Sequence, residues 1–259
     1  MRTQSPTSRI VLSSALILSL ACGFVFLHHG HITVYMIGDS TMADKPLEDN
    51  PERGWGQMFP AFFDSTVTIE NHAKNGRSTR SFLAEDRWNP ILRKLRPGDY
   101  VIIQFGHNDE SKEKVDRYTP PEDFRKNLAK FVTDTRERGG IPILCTPVVR
   151  RRFDAHGEFY DVHGEYPVIV REVSAALDVP LIDMHCMSEE LVISSGEERS
   201  KEIFLWVKPG VYKSIPDGKE DNTHFNEFGA TEMAKLASRG IRELNIELAS
   251  RLLPADVTH

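Results

Sequence analysis

Three cysteines in 259 residues, Cys22, Cys145 and Cys186, are too few for a disulfide scaffold and lack zinc-binding spacing, so apolar burial must carry the core. There is no G-x-x-x-x-G-K-[ST] loop, no G-x-G-x-x-G after a strand and no H-E-x-x-H, which removes the common nucleotide-binding and zinc-peptidase readings. No metal or cofactor is called for. Positive charge is in deficit: 32 Lys and Arg against 38 Asp and Glu give a net charge of −6. Such a chain repels polyanions except where basic residues gather locally, so nucleic acid is not the expected partner. Glycine (17) and proline (15) are too sparse for a collagenous or low-complexity chain, and no internal repeat occurs. What remains, 40% hydrophobic and 27% charged, is an ordinary globular composition.

The apolar residues are unevenly placed. Residues 10–27 carry no charge and follow Arg2 and Arg9, the pattern of a secretory signal, and their 18 residues also reach the lower limit for a membrane anchor. Ser19-Leu20-Ala21 supplies a small-x-small cleavage pattern, and Cys22 after it raises lipid attachment, although Ser19 stands where lipoprotein signals usually have Leu. The expectation is an extracytoplasmic protein that meets a membrane only through residues 1–31, with one globular domain over 32–253. Cleavage after Ala21 would remove two arginines and no acid, taking Lys plus Arg from 32 to 30 against 38 and the net charge to −8.

Beyond residue 31, β-branched runs at 32–37, 67–70, 100–104, 141–145 and 180–183 read as buried strands. Between two of them Phe124, Leu128, Phe131 and Thr135 recur at helical spacing, after Pro120-Pro121 and before Gly139-Gly140. Near the end Ala230, Ala234, Ala237, Ile241, Leu244 and Leu248 step by 4, 3, 4, 3 and 4, with Asn226 as the N-cap. Strands alternating with helices imply a three-layer α/β/α sandwich around a mostly parallel sheet, flavodoxin-like in class.

Ligands in such sheets bind beyond the carboxyl ends of the strands. Those ends hold Gly38-Asp39-Ser40-Thr41, Asn75-Gly76-Arg77-Ser78 and Gly106-His107-Asn108-Asp109, while Asp221-Asn222-Thr223-His224 precedes the last helix. Acyl transfer by a serine needs an imidazole to take its proton and a carboxylate to fix the imidazole's tautomer. Ser40, His224 and Asp221 supply these groups, and Asp221 three residues before His224 can reach Nδ1 within one turn. The oxyanion needs preorganised donors, which the Ser40 and Gly76 N–H groups and the Asn108 amide can provide. Each residue also has a bland reading alone: a helix cap for Ser40, turn residues for Gly76 and Asn108, a solvated loop for Asp221 and His224. Together, in this order, they are harder to dismiss.

These blocks resemble the SGNH (GDSL-type) hydrolase superfamily, whose Ser, Gly, Asn and His are matched by Ser40, Gly76, Asn108 and His224. Within it the chain resembles the rhamnogalacturonan acetylesterase family through GDST at 38–41, GWGQ at 54–57, NGRSTRSF at 75–82, RPGDYVIIQFGHND at 96–109, TPVVRR at 146–151, HGEYP at 163–167 and PDGKEDNTHFNEFGA at 216–230. The resemblance implies an enzyme that removes acetyl groups from the galacturonic acid residues of acetylated pectic polysaccharide. It casts Ser40 as nucleophile, His224 as base and acid, Asp221 as its orienting partner, and Ser40, Gly76 and Asn108 as the oxyanion hole.

Other residues carry two readings each. His107 contacts substrate or packs beneath the site; Trp55 is a sugar platform or a core residue. Arg77, Arg80 and the run Arg150, Arg151 and Arg152 either meet uronate carboxylates or are solvated or structural. His156 and His163 read as loop residues and Cys145 as a small buried hydrophobe. An α/β-hydrolase elbow, G-x-S-x-G, is excluded because Met42 occupies its second glycine position. Acetylated xylan, a lipid or a thioester remain alternative esters, and a non-catalytic carbohydrate-binding protein is the reading from another class.

Overall fold

The computed structural model describes residues 30–254. The uncharged run and Cys22 lie outside the described residues.

Five strands form one parallel sheet: β1 (Ile32–Gly38), β2 (Val67–Asn71), β3 (Tyr100–Gln104), β4 (Ile141–Cys145) and β5 (Leu181–Ile182), in the order β2-β1-β3-β4-β5. Strand residues alternate between two cores, as the pleat requires. Val34, Met36, Ile102 and Ile143 face one core, and Tyr35, Ile37, Val101, Ile103 and Leu144 the other. The first is closed by α1 (Trp55–Met58) and α7 (Glu227–Leu244), which presents Ala230, Met233, Ala234, Ala237 and Ile241. The second is closed by α2 (Thr79–Ala84), α3 (Trp88–Lys94), α4 (Pro121–Glu137) and α5 (Tyr166–Leu177), through residues such as Phe82, Trp88, Phe124, Phe131 and Val170. The sandwich expected from the sequence is the observed fold.

Three expectations change in detail. β5 is only two residues long because Asp183, expected in the strand, instead caps α6 (Met184–Arg199) by accepting from the Cys186 N–H. Leu248 continues the apolar period of α7 but lies beyond it, since Asn245 turns left-handed (φ 51°) and a separate 3₁₀ turn returns Leu248 to the core. The segment before α7, expected as a loop, is the strand β7 (Lys219–Phe225), antiparallel to β6 (Phe204–Val207). Its register breaks: Phe204 pairs with Phe225 but Leu205 pairs with Asp221, so Asn222, Thr223 and His224 bulge out of the ladder.

In the order 2-1-3-4-5 the chain leaves the sheet in opposite directions from β1 and β3. The crevice between their carboxyl ends is where such folds bind ligands.

Candidate active site

Ser40 stands two residues past β1, on a turn whose Met42 and Ala43 N–H groups donate to the Asp39 carbonyl (3.3 and 3.1 Å). Across the crevice the β7 bulge presents His224, whose Nε2 is 2.9 Å from Ser40 Oγ and whose Nδ1 is 2.8 Å from Asp221 Oδ2. The bulge is shaped by Asp221 itself: Oδ1 accepts from the backbone N–H of Thr223 (2.8 Å) and of His224 (2.9 Å), and Lys219 Nζ lies 3.1 Å from Oδ2. Burial opposes ionisation of Asp221, but the hydrogen bond and charge of His224 and the two backbone donors outweigh it and hold the carboxyl far below the usual carboxylate range. A carboxylate locked into its own turn fixes the imidazole tautomer with Nε2 free to accept from serine.

Ser40, Gly76, His107, Asn108 and His224 line one cleft of about 340 Å³, with Glu52, Asn75, Lys114, Arg117, Arg150 and Thr223. Asn108 Nδ2 donates to the Arg77 carbonyl (3.1 Å), which uses one of the amide's two hydrogens. Gly76 adopts φ +74°, a conformation that favours glycine, and a Cβ there would come within 3.0 Å of Arg117 Nη1. Asp109 ties the Gly76 and Asn108 turns together: its Oδ1 accepts from Thr79 N (2.9 Å) and Thr79 Oγ1 (2.6 Å) at the start of α2, where Ser78 and Ser81 form a capping box. Burial pushes the Asp109 carboxyl up to about 7.

Beneath Ser40 runs a buried polar chain. Trp55 Nε1 donates to Gln104 Oε1 (2.8 Å), Gln104 Nε2 to Thr41 Oγ1 (2.9 Å), and Thr41 Oγ1 to Asp39 Oδ1 (2.8 Å), while Asp39 Oδ2 faces His107 Nδ1 at 3.1 Å. Burial raises the Asp39 carboxyl, but the charge and hydrogen bond of His107 and the Thr41 donors bring it down to about 2. For His107 burial dominates and lowers its pKa against the pull of Asp39. His107 therefore packs beneath the site, with part of its ring in the cleft lining.

The sugar-platform reading of Trp55 fails: the ring is wholly buried and its N–H is committed to Gln104. Of the arginines that the sequence offers for substrate, Arg150 alone reaches the cleft, and its donors are occupied. Nε and Nη2 bond Glu110 Oε1 (3.2 and 3.0 Å), Nη2 also bonds the His107 carbonyl (3.2 Å), and Nη1 bonds Thr223 Oγ1 (2.6 Å), so it braces the β7 bulge against the turn after β3. Arg151 is buried outside the cleft, held by Ser200, Asn222 and the Glu197 carbonyl. Arg152 is exposed and likewise outside it. Arg77 pairs with Glu85 and the Asn75 carbonyl, and Arg80 donates to the carbonyls of Val115 and Tyr118; neither lines the cleft. The same coil holds the cleft cations that sequence reasoning passed over, Lys114 and Arg117. Their stretch, SKEKVDRY, reads as a solvated charge run, and only the fold brings it beside Gly76. His163 is also more than a loop residue: it is buried, with Nε2 donating to the Val148 carbonyl (2.9 Å) and Nδ1 2.5 Å from Glu110.

A parallel sheet, a serine–histidine–aspartate relay and a polar cleft at the sheet's switch point define a carboxylic ester hydrolase of the SGNH class. The chain belongs to the GDSL-like lipase/acylhydrolase family, whose model matches residues 36–230. It is 42% identical to the rhamnogalacturonan acetylesterase RhgT of Bacillus subtilis, over 86% of this chain and 94% of that one. It is 34% identical to the probable rhamnogalacturonan acetylesterase YesY of the same organism, over 85% and 97% respectively. Among solved structures, the YxiM protein of Bacillus subtilis superposes with a TM-score of 0.72 at 27% identity, covering 84% of this chain and 58% of that one. The acetylxylan esterase Axe2 of Geobacillus stearothermophilus, at 15% identity and a TM-score of 0.59 over 85% and 96%, shares the fold.

Proposed function

We propose that the protein is a carbohydrate acetylesterase that removes acetyl groups from the galacturonate residues of a rhamnogalacturonan-type pectic polysaccharide, with Ser40, His224 and Asp221 as its catalytic residues. The observation that carries the chemistry is the relay from Asp221 through His224 to Ser40, with both contacts below 3 Å. The similarity to rhamnogalacturonan acetylesterases over most of the chain supports the substrate.

In this mechanism His224 Nε2 takes the Ser40 proton as Oγ attacks the acetyl carbonyl. The oxyanion is received by the Ser40 and Gly76 N–H groups and the Asn108 amide. Collapse breaks the ester bond and the sugar oxygen leaves with the proton from His224, so the acetyl group stays on Ser40. A water then loses a proton to His224 and attacks the acetyl-serine; the acyl–Oγ bond breaks, His224 returns the proton to Oγ, and the acetic acid released departs as acetate. Asp221 stays ionised throughout and stabilises the imidazolium. The uncharged segment 10–27 supports action outside the cytoplasm, where such polymers occur.

The test is acetate release by the protein lacking residues 1–31 from acetylated rhamnogalacturonan, homogalacturonan and xylan. The reading predicts the highest kcat/KM on rhamnogalacturonan. Preference for xylan would overturn the substrate and leave the serine mechanism standing.

A further inference from the structure

The charges of the cleft wall do not balance. Four fully charged side chains line the cleft: Glu52, Lys114, Arg117 and Arg150. Glu52 is neutralised by Lys45 (2.7 Å) and Arg150 by Glu110 (3.0 Å), and these two pairs are largely buried. The Lys114 ammonium forms no hydrogen bond or ion pair within 4 Å among the described residues. Among the described residues the Arg117 guanidinium bonds only Asp116, through Nε (3.4 Å) and Nη2 (3.2 Å), and Asp116 is mostly exposed, so water screens the pair. The Nη1 arm of Arg117 makes no hydrogen bond among the described residues and lies over Gly76, 3.0 Å from where a Cβ would stand. Two cations with only the exposed Asp116 as counter-charge therefore border the oxyanion hole of a protein whose net charge is −6.

Their stretch of chain is also held in place. Arg80 donates to the Val115 and Tyr118 carbonyls, the Lys114 carbonyl accepts from the Arg117 and Tyr118 N–H groups, and Thr119 N donates to the Asp109 carbonyl next to Asn108. Because Glu52 and Arg150 are each neutralised by a buried partner, the charge the cleft presents to solvent is positive, and such a cleft concentrates anions.

We propose that Lys114 and Arg117 form a carboxylate subsite that recognises the uronate group of the residue being deacetylated or of its neighbour in the polymer. This deepens the function proposed above and rests on it. A uronate carries its carboxylate and its acetylated ring hydroxyls on one six-membered ring, so an ester seated at Ser40 keeps a carboxylate within the same cleft. Arg117 offers a planar guanidinium arm and Lys114 a mobile point charge, a combination suited to an anion whose position shifts with the acetylated hydroxyl. The subsite separates acidic from neutral acetylated polymers without touching the acyl chemistry.

The decisive comparison uses acetylated rhamnogalacturonan oligosaccharides with free carboxyl groups and the same oligosaccharides methyl-esterified. The intact enzyme is expected to favour the free acid by about tenfold in kcat/KM, mostly through KM, and to lose that preference in high salt. In the double variant Lys114→Ala/Arg117→Ala the free-acid to methyl-ester ratio should fall towards one, and Arg117→Lys should restore part of it. Equal rates on the two forms with the intact enzyme, or an unchanged ratio in the double variant, would overturn the subsite. The first of these needs no mutant, so a variant that fails to fold does not block the test. Efficient release from both oligosaccharides at equal rates defeats the subsite alone, whereas release from xylan only defeats the proposed substrate and the subsite with it.

Discussion

Two aspartate–histidine pairs flank Ser40, built from the same two side chains and placed to opposite ends. In the first, Asp221 and His224 lie on one strand bulge, 2.8 Å apart, with side chains 14% and 26% exposed. In the second, Asp39 follows β1 and His107 follows β3, 3.1 Å apart, with side chains 0% and 3% exposed. The Nε2 of His224 meets Ser40 Oγ, whereas the Nε2 of His107 has no hydrogen-bond partner among the described residues. In the proposed mechanism His224 gains and loses a proton in every cycle, which calls for one nitrogen on the serine and some water to stabilise the cation. The buried pair has neither, and it joins two strand ends instead. Solvent access and the third partner, more than the pairing itself, separate a proton carrier from a strut.

That contrast can be broken from either side. Asp221→Asn should lower kcat by about 10⁴-fold, because the amide no longer selects the required tautomer, and should also lower the thermal midpoint, because the carboxylate that organises the bulge is lost. An Asp221→Asn enzyme within tenfold of the parent would show that His224 is oriented by something else. Asn108→Ala should cost about 10²-fold to 10³-fold in kcat, the loss of one oxyanion donor; a loss confined to KM would assign the amide to substrate binding. His107→Ala should register mainly in stability, by about 3 kcal/mol in denaturant unfolding, because it leaves the Asp39 carboxylate buried without its partner. If its unfolding curve matches the parent's, the strut interpretation is wrong.

The smallest effect is a pH dependence. Asp39 has a folded pKa of about 2, depressed from 3.8, so its contribution is complete above about pH 4 and is lost as pH falls towards 2. The change is about 2 kcal/mol. Acid unfolding followed for the parent and for Asp39→Asn should differ in slope across that window, and parallel curves would contradict it.

Much of this was legible in the sequence. The runs at 100–104 and 141–145 are strands with those bounds, and Asn226 caps α7 by accepting from Gly229 N–H (2.9 Å). Ser40, Gly76, Asn108 and His224 come from four separate stretches to one cleft, an arrangement that strand-end reasoning anticipates because a parallel sheet gathers those ends. β7 was not legible, since Lys-Glu-Asp-Asn-Thr-His does not alternate and has Thr223 as its one β-branched residue, so that it becomes a strand only by pairing with β6. Nor could the sequence divide the basic residues. Arg150 and Arg151 are adjacent, yet one braces the cleft through Thr223 and Glu110 and the other is held outside it by Ser200, Asn222 and the Glu197 carbonyl. Lys114 and Arg117 belong to the cleft through the path of one coil, a long-range consequence with no local sign.

The central claim is that Ser40 carries the acyl group, and it can be read by mass. The protein lacking residues 1–31, mixed with an organophosphonate that traps activated serines, should gain one adduct on the Ser40 peptide and lose acetate release in proportion. Ser40→Ala should gain none and turn over nothing above background. An adduct on another residue, or acetate release by Ser40→Ala at the parent's rate, would contradict the account.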